Sequence, residues 1–183
     1  IFVRTSWCGA YCGTNFPEEL IQLYKPKLIE APDDTDWFVN QLYDFAPQMG
    51  ITLITAIHNR WVIDLNRDPE NKPLYSDGRM ITGLCPTTNF LGESIYIDNR
   101  EAVDPADVAR RLKDYYWPYH SELTNLLQSL KSEFGQALIW DAHSIRAEVE
   151  TIYKGRFPDL ILGDVDESSA TDSIIGTAFK QLS

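Results

Sequence analysis

The stretch ITLITAI, Ile51–Ile57, decides the fold because it is short, β-rich and almost wholly apolar. Such a run is typical of a strand that is buried on both faces of a sheet. A second apolar run, Ala137–Trp140, has the same character. We therefore predict that the two runs are neighbouring or near-neighbouring strands of one sheet.

Predicted helices alternate with predicted strands along the chain. Asp104-Pro105 is typical of a helix start, and the helical region that follows runs to Phe134, with a bend expected near Pro118. This alternation of strands and helices predicts the α/β class. The other predicted elements are strands at Ile1–Arg4, Trp61–Leu65 and Leu160–Leu162, and helices at 36–46 and Asp172–Leu182.

Composition narrows the class of protein. The chain has 183 residues, of which 44 % are hydrophobic, and this favours a single domain over residues 1–183 and excludes intrinsic disorder. With 16 Lys and Arg against 27 Asp and Glu, the net charge is −11, which argues against a nucleic-acid-binding surface. No apolar stretch is long enough to cross a membrane. Three cysteines and the lack of a recognisable signal peptide favour a cytoplasmic protein.

The sharpest polar cluster follows the second apolar run. Leu138–Trp140 leads directly into Asp141, Ala142 and His143. In open α/β sheets ligands bind beyond the carboxyl ends of the strands, which is where these side chains fall. His143 is therefore a candidate metal ligand, with Asp141 or a backbone carbonyl holding its tautomer. The alternative is a buried histidine that is satisfied by local hydrogen bonds.

A second cluster lies within Arg60–Arg67. Guanidinium groups bind carboxylates through paired hydrogen bonds, so Arg60 and Arg67 are candidate clamps for an acidic ligand. Strand alternation would place Asp64 and Asn66 on one face. The alternative is an Arg–Asp pair that only ties down a loop.

Three carboxylates, Asp33, Asp34 and Asp36, stand together at the start of the helix predicted at 36–46. They can cap that helix and interact with its dipole. Alternatively, one of them turns inward and completes a metal site with His143. An imidazole together with a carboxylate oxygen suits zinc.

Taken in order, these clusters resemble the N-formylglutamate amidohydrolase family, also called N-formylglutamate deformylase. The matching segments keep their order from position 34 to position 160 and cover most of the chain. They are Asp34–Trp37, Leu42–Ala46, Arg60–Arg67, Leu74-Tyr75, Thr82–Pro86, Tyr116–His120, Trp140–Arg146 and Phe157–Leu160.

The resemblance implies a three-layer α/β/α fold with a mixed sheet, similar to the zinc carboxypeptidases (phosphorylase/hydrolase-like). The implied reaction is the metal-dependent hydrolysis of an amide, N-formyl-L-glutamate, to glutamate and formate in histidine degradation. Zinc is the implied cofactor, and its implied ligands are His143 with Asp34 or Asp36. Bound zinc lowers the pKa of its water and so supplies a nucleophile near neutral pH.

The resemblance also implies how a small acidic N-acyl amino acid is held. Asn66 and Arg67 match the position where carboxypeptidases grip a substrate carboxylate. Arg60 and Arg146 are the candidates for gripping the second carboxylate of a diacid such as glutamate. We do not predict an oligomeric state.

Two departures from the family pattern bear on activity. The family carries Pro-His-x-Gly after its first strand, and the resemblance implies that this histidine is a metal ligand. This chain has Tyr11 at that position, and a phenol is a poorer zinc ligand than an imidazole. The family's candidate general base, a Glu in a Gln-Leu-Glu context, would lie beyond Ser183. We therefore expect weak zinc binding and slow or no hydrolysis. The alternative function is that of a truncated or degenerate homologue that binds a small dicarboxylate without catalysis.

Overall fold

A computed structural model describes residues 6–10, 13–72, 82–163 and 169–182, with the backbone alone at 6–10. Contacts between Cα atoms divide the chain into two compact units, Ile1–Ile145 and Arg146–Ser183. The single domain expected over residues 1–183 is not tested by this division and stays a prediction. The strand predicted at Ile1–Arg4 lies outside the described residues.

The first unit alternates strands with helices, which confirms the α/β class. Its described sheet has three parallel strands in the order β2-β1-β3: β1 at Ser6–Ala10, β2 at Thr52–Thr55 and β3 at Leu138–Ala142. Between β1 and β2 lie the helices α1 (Glu18–Ile21), α2 (Pro26–Glu30) and α3 (Val39–Leu42), followed by a 3-10 turn (Ala46–Met49). Between β2 and β3 lie α4 (Pro105–Arg111), a π-helical turn (Leu112–Tyr116) and α5 (Trp117–Phe134).

The central strand β1 separates the two strands that the sequence predicted. Trp7 pairs with Thr52 on one side and with Ile139 on the other. The runs at 51–57 and 137–140 are therefore confirmed as near neighbours of one sheet. Because the three described strands are parallel, their carboxyl ends lie at the same edge, where ligands bind in open α/β sheets.

The strand β2 is less buried than its apolar sequence predicts. Thr52 is exposed, and the other three residues of the strand are partly buried. The apolar cluster on the described sheet has only Val39 and Ala142 fully buried, with Leu53 among the residues packed against it. Burial of β2 on both faces is therefore a wrong prediction, because few apolar side chains of the described residues cover this sheet.

The main apolar core of the first unit includes the segment Trp61–Ile63, whose three side chains are at most 2 % exposed. Four of its nine buried members are aromatic, and burying such large apolar surfaces is the main favourable contribution to folding. Its buried members are Leu20, Tyr24, Trp61, Val62, Ile63, Leu84, Ile95, Tyr96 and Tyr116.

The strand predicted at Trp61–Leu65 is wrong, because the segment forms a turn. The side-chain oxygen of Asn59 accepts a hydrogen bond from Trp61 N at 2.9 Å, and Asn59 O accepts one from Val62 N at 2.9 Å. The carbonyl of Val62 accepts a hydrogen bond from Arg111 Nη1, also at 2.9 Å. Side chains thus satisfy buried backbone groups that a sheet would otherwise satisfy.

The helix predicted at 36–46 is shorter than expected. Phe38 has a φ of 65°, a left-handed conformation that a helix interior does not contain, so α3 begins only at Val39. The side chains of Thr35 and Asp36 are also engaged away from this helix. Neither constraint can be inferred from the pattern of apolar residues alone.

The long helical region ending at Phe134 is confirmed, and a π-helical turn lies next to Pro118, where the sequence predicted a bend. Asp104 caps α4 by accepting a hydrogen bond from Ala106 N at 2.8 Å. The π-helical turn immediately precedes Trp117-Pro118. Proline lacks an N–H and its ring clashes with the preceding turn, so a wider turn accommodates it. Gly135, with a φ of 77°, ends α5.

The second unit contains a short antiparallel pair, β4 (Glu148–Val149) and β5 (Tyr153–Arg156), and the helix α6 (Asp172–Leu182). The prediction of α6 is confirmed at both ends. The strand predicted at Leu160–Leu162 is wrong, since that segment is irregular. Leu160 is 62 % exposed, and an apolar run of three residues does not specify a strand without a partner.

None of the described helices in either unit has the length and apolar character needed to cross a membrane.

Candidate functional site

Polar groups collect at the carboxyl edge of the parallel sheet. Gly13 follows β1, Asn59 follows β2, and His143 stands one residue beyond β3. The segments after β1 and β2 remain together, because Asn59 N donates a hydrogen bond to Asn15 O at 2.9 Å. The edge therefore has the composition that the sequence predicted for a ligand site.

Gly13 allows the chain after β1 to approach the chain after β2. A Cβ atom on residue 13 would lie 1.9 Å from the backbone oxygen of His58, so only glycine fits there. The carbonyl of Gly13 accepts hydrogen bonds from Thr35 Oγ1 at 2.7 Å and from Asn59 Nδ2 at 3.3 Å. These bonds hold the segment containing Asp36 beside the ends of β1 and β2.

Asp36 and His143 form the centre of the site. Asp36 is 2 % exposed, and its Oδ2 lies 3.1 Å from His143 Nδ1 while its Oδ1 accepts a hydrogen bond from Ser144 N at 2.8 Å. On the other side of the ring, Asp141 Oδ2 lies 3.0 Å from His143 Nε2. Burial alone would lower the pKa of His143, but the hydrogen bonds to Asp141 and Asp36 raise it to about 10. The imidazole is therefore held in its charged form with one carboxylate at each nitrogen.

Asp34 makes a different set of contacts. Its Oδ2 accepts a hydrogen bond from Trp61 Nε1 at 3.0 Å, and both oxygens accept from Phe90 N, at 3.2 and 3.0 Å. Burial raises the pKa of Asp34 despite these hydrogen bonds. The carboxylate beside His143 is thus that of Asp36. The capping alternative is wrong for both aspartates, since α3 has no side-chain cap.

Asp36 and His143 are donors of the types that zinc binds, but they are two and not three. In residues 13–72, 82–163 and 169–182 no group of three His, Cys, Asp or Glu side chains is placed to hold a metal ion. Tyr11, which replaces the expected histidine, lies outside the described residues. Among the described residues the donors fit zinc in type and number two, and the roles of Asp34, Asp36 and His143 as ligands stay predictions.

A buried carboxylate, that of Asp64, gathers three of the predicted substrate-binding residues. The Asp64 side chain is 0 % exposed, and its Oδ2 lies 3.4 Å from Arg60 Nη2 and 3.7 Å from Arg67 Nε. Its Oδ1 accepts a hydrogen bond from Asn66 N at 3.0 Å. The Arg–Asp pairing considered from the sequence is therefore present. That Arg60, Asn66 and Arg67 bind a ligand stays a prediction.

Both arginines have further contacts that fix their positions. The Arg60 guanidinium carbon lies 5.2 Å from the centroid of the Phe90 ring. Arg67 Nε donates to Thr82 O at 2.9 Å, and its Nη2 donates to Thr82 Oγ1 at 3.4 Å. Arg146 is the first residue of the second unit, and its place in a common pocket stays a prediction.

Sequence reasoning gave Tyr116 and His120 no part in the site. Tyr116 is a buried member of the core, but its hydroxyl also donates to the carbonyl of Arg67, and His120 Nε2 lies 3.0 Å from the carbonyl oxygen of Leu65. Contacts to backbone carbonyls of a turn leave no periodic signal in the sequence.

Comparison with known proteins identifies the family. The sequence profile of N-formylglutamate amidohydrolase matches residues 9–183. The N-formylglutamate deformylase of Pseudomonas aeruginosa is 46 % identical over 135 residues, which are 73 % of this chain and 49 % of that protein. The N-formylglutamate deformylase of Pseudomonas putida is 42 % identical over 138 residues, 74 % of this chain and 50 % of that protein. The chain spans about half the length of these curated relatives.

Solved structures show the same fold. A crystal structure of N-formylglutamate amidohydrolase from Ralstonia eutropha has a TM-score of 0.77 at 24 % identity, over 97 % of this chain and 68 % of that one. A gene product of Agrobacterium tumefaciens has a TM-score of 0.64 at 18 % identity, over 86 % of this chain and 56 % of that one. With the profile match over residues 9–183, the chain belongs to the N-formylglutamate amidohydrolase family.

Proposed function

We propose that this chain carries a site for the hydrolysis of N-formyl-L-glutamate to L-glutamate and formate. The observation that carries the proposal is the pairing of buried Asp36 with His143 at the carboxyl edge of the sheet. A hydrogen bond of 3.1 Å from Asn59 to Thr35 links this pair to the segment that holds the arginine cluster. The names of the curated relatives, with their identities of 46 % and 42 %, support the substrate.

Zinc is the proposed cofactor, with His143 and Asp36 as the described residues that would hold it. When bound, zinc polarises a carbonyl group and lowers the pKa of a water molecule. His143 must lose a proton to act as a ligand, so metal binding competes with its charged state. Asp141, at Nε2, would then keep the ring oriented while Nδ1 faces Asp36.

The arginine cluster suits the substrate's charge. N-formyl-L-glutamate carries two carboxylates and no cationic amine at neutral pH, because formylation removes the basicity of the amino group. Arg60 and Arg67 supply positive charge, and the exposed Asn66 supplies an amide donor. Arg146 is a further proposed contact to the second carboxylate. Histidine degradation, which the family resemblance implies, is the proposed pathway, and the cytoplasm is the proposed compartment.

Formate release tests this function directly. The chain is incubated with N-formyl-L-glutamate and zinc, and formate is measured with a coupled dehydrogenase assay. We expect slow release that disappears in His143→Ala and Asp36→Asn and persists in Asp44→Asn, whose carboxylate is on an exposed turn. Equal release from all four proteins would show that the Asp36–His143 pair is not the reactive centre.

A second candidate function is binding of a small dicarboxylate without catalysis. It is favoured by the described residues, which offer two zinc donors beside an assembled arginine cluster. Calorimetric titration with glutamate, with and without zinc, separates the two functions. Binding in both conditions without formate release would support the second function and overturn the first.

A further inference from the structure

Two side chains of the long helical region hold the backbone on either side of Asn66. His120 Nε2 lies 3.0 Å from the carbonyl oxygen of Leu65, and Tyr116 Oη donates to the carbonyl oxygen of Arg67 at 2.8 Å. A carbonyl only accepts hydrogen bonds, so the proton of the neutral His120 ring is on Nε2. Burial lowers the pKa of His120 and favours this neutral form.

The geometry of the two rings makes them one unit. Tyr116 is 5 % exposed, and its ring centroid lies 4.2 Å from that of His120. The residues are four positions apart, across the junction between the π-helical turn and α5. π-Helical turns are rare in proteins and frequent at functional sites. Here the turn brings both polar tips to the same short stretch of backbone.

The stretch between these contacts contains the groups proposed to meet the substrate. Asp64 Oδ1 binds Asn66 N from within, and Arg67 N donates to Asp64 O at 3.1 Å. The Asn66 side chain is exposed while its flanking carbonyls are held. A turn anchored at Leu65, Asn66 and Arg67 has little freedom to rearrange when a ligand binds, and such preorganisation favours affinity.

We infer that Tyr116 and His120 are positioning residues that hold Asn66 and Arg67 for recognition of a substrate carboxylate. The inference rests on the proposed function, because it assumes that Asn66 and Arg67 contact the substrate. Neither Tyr116 nor His120 needs to touch the substrate. Their effect passes through the two carbonyls that they bind.

The test is calorimetric titration of the zinc-supplemented chain with L-glutamate. Tyr116→Phe removes one hydroxyl with little change of shape, and we expect glutamate affinity to fall roughly 2- to 12-fold, the loss that corresponds to one hydrogen bond. His120→Leu should give a similar loss, and His120→Gln, which keeps an amide donor, should recover part of it. Zinc affinity should not change in these variants, because the Asp36–His143 pair makes none of these contacts.

Tyr115→Phe is the matched control. Tyr115 is the neighbouring residue of the same π-helical turn, and its hydroxyl donates to Glu19 and not to the Asn66 turn. Its removal should leave glutamate affinity unchanged. Equal affinities in Tyr116→Phe and Tyr115→Phe would overturn the inference, whereas failure of the unmodified chain to bind both N-formyl-L-glutamate and L-glutamate would overturn the proposed substrate recognition itself.

Hydrogen exchange gives a second readout that needs no substrate. The Asn66 amide is bonded to Asp64, and its protection depends on the turn staying closed. We expect faster exchange of this amide in Tyr116→Phe than in Tyr115→Phe. Identical exchange in the two variants would also overturn the inference.

Discussion

Replacing Asp64 with asparagine removes the charge that holds the arginine cluster together. The Asp64 side chain is 0 % exposed and those of Arg60 and Arg67 are 11 % and 13 % exposed, so all three groups are largely withdrawn from water. If the asparagine NH₂ group took the place of Asp64 Oδ2, it would face two other hydrogen-bond donors, Arg60 Nη2 at 3.4 Å and Arg67 Nε at 3.7 Å. Breaking a buried ion pair by removing one partner costs about 3–5 kcal/mol, and we expect the free energy of unfolding to fall by this amount.

Urea unfolding measures this loss, and a glutamate titration of the same variant measures its effect on binding. Asp98→Asn is the matched control, because Asp98 also pairs with an arginine, Arg100 Nη2 at 2.7 Å, but its side chain is 54 % exposed. Exposed pairs contribute little, so this control should unfold almost like the unmodified chain. If Asp64→Asn and Asp98→Asn changed the free energy of unfolding and glutamate binding equally, Asp64 would not be the residue that assembles the cluster.

Three further changes test other parts of the site. Arg67→Ala should weaken glutamate binding by about 1.5–3 kcal/mol, the range for hydrogen bonds to charged groups, and unchanged calorimetric affinity would refute the clamp. Gly13→Ala should lower the free energy of unfolding in urea by about 1–3 kcal/mol or more, because the new Cβ would lie 1.9 Å from His58 O. If the variant unfolded like the unmodified chain, the backbone at residues 13 and 58 would be able to move apart without cost. The raised pKa of His143, about 10, means that its contribution to stability is complete below about pH 6.5 and is lost as the pH rises toward 10. Asp36→Asn should lower that pKa in an NMR titration and reduce the stability lost over this range, and an unaltered titration would rule out the contact.

Elements with local signals were predictable from the sequence. The cap at Asp104 and the end of α5 at Gly135 each depend on a few neighbouring residues. A π-helical turn lies near Pro118, where the sequence predicted a bend. Trp61–Leu65 was misassigned because its buried backbone is satisfied by side chains, including one from position 111, and such long-range bonds leave no local pattern.

The same distinction applies to the site. The polar ending of β3 identified His143 as a residue at the sheet edge. The choice between Asp34 and Asp36 depended on which carboxylate reaches residues more than 100 positions away. Asp36 does so through His143 and Ser144, whereas Asp34 reaches Trp61 and Phe90. Two carboxylates two positions apart cannot be told apart by spacing alone.

We propose that Asp36 and His143 together hold a zinc ion, and zinc affinity measured by competition with a chelator is the direct test of this pair. We expect Asp36→Asn and His143→Ala each to weaken zinc binding by more than the roughly 10- to 100-fold cost of losing an outer partner of a ligand. Asp34→Asn should bind zinc like the unmodified chain, and its native packing is first checked by near-ultraviolet circular dichroism. Tyr11→His should bind zinc more tightly. Zinc affinity that is unchanged in Asp36→Asn and His143→Ala, or that falls equally in Asp34→Asn, would show that the Asp36–His143 pair does not hold the metal.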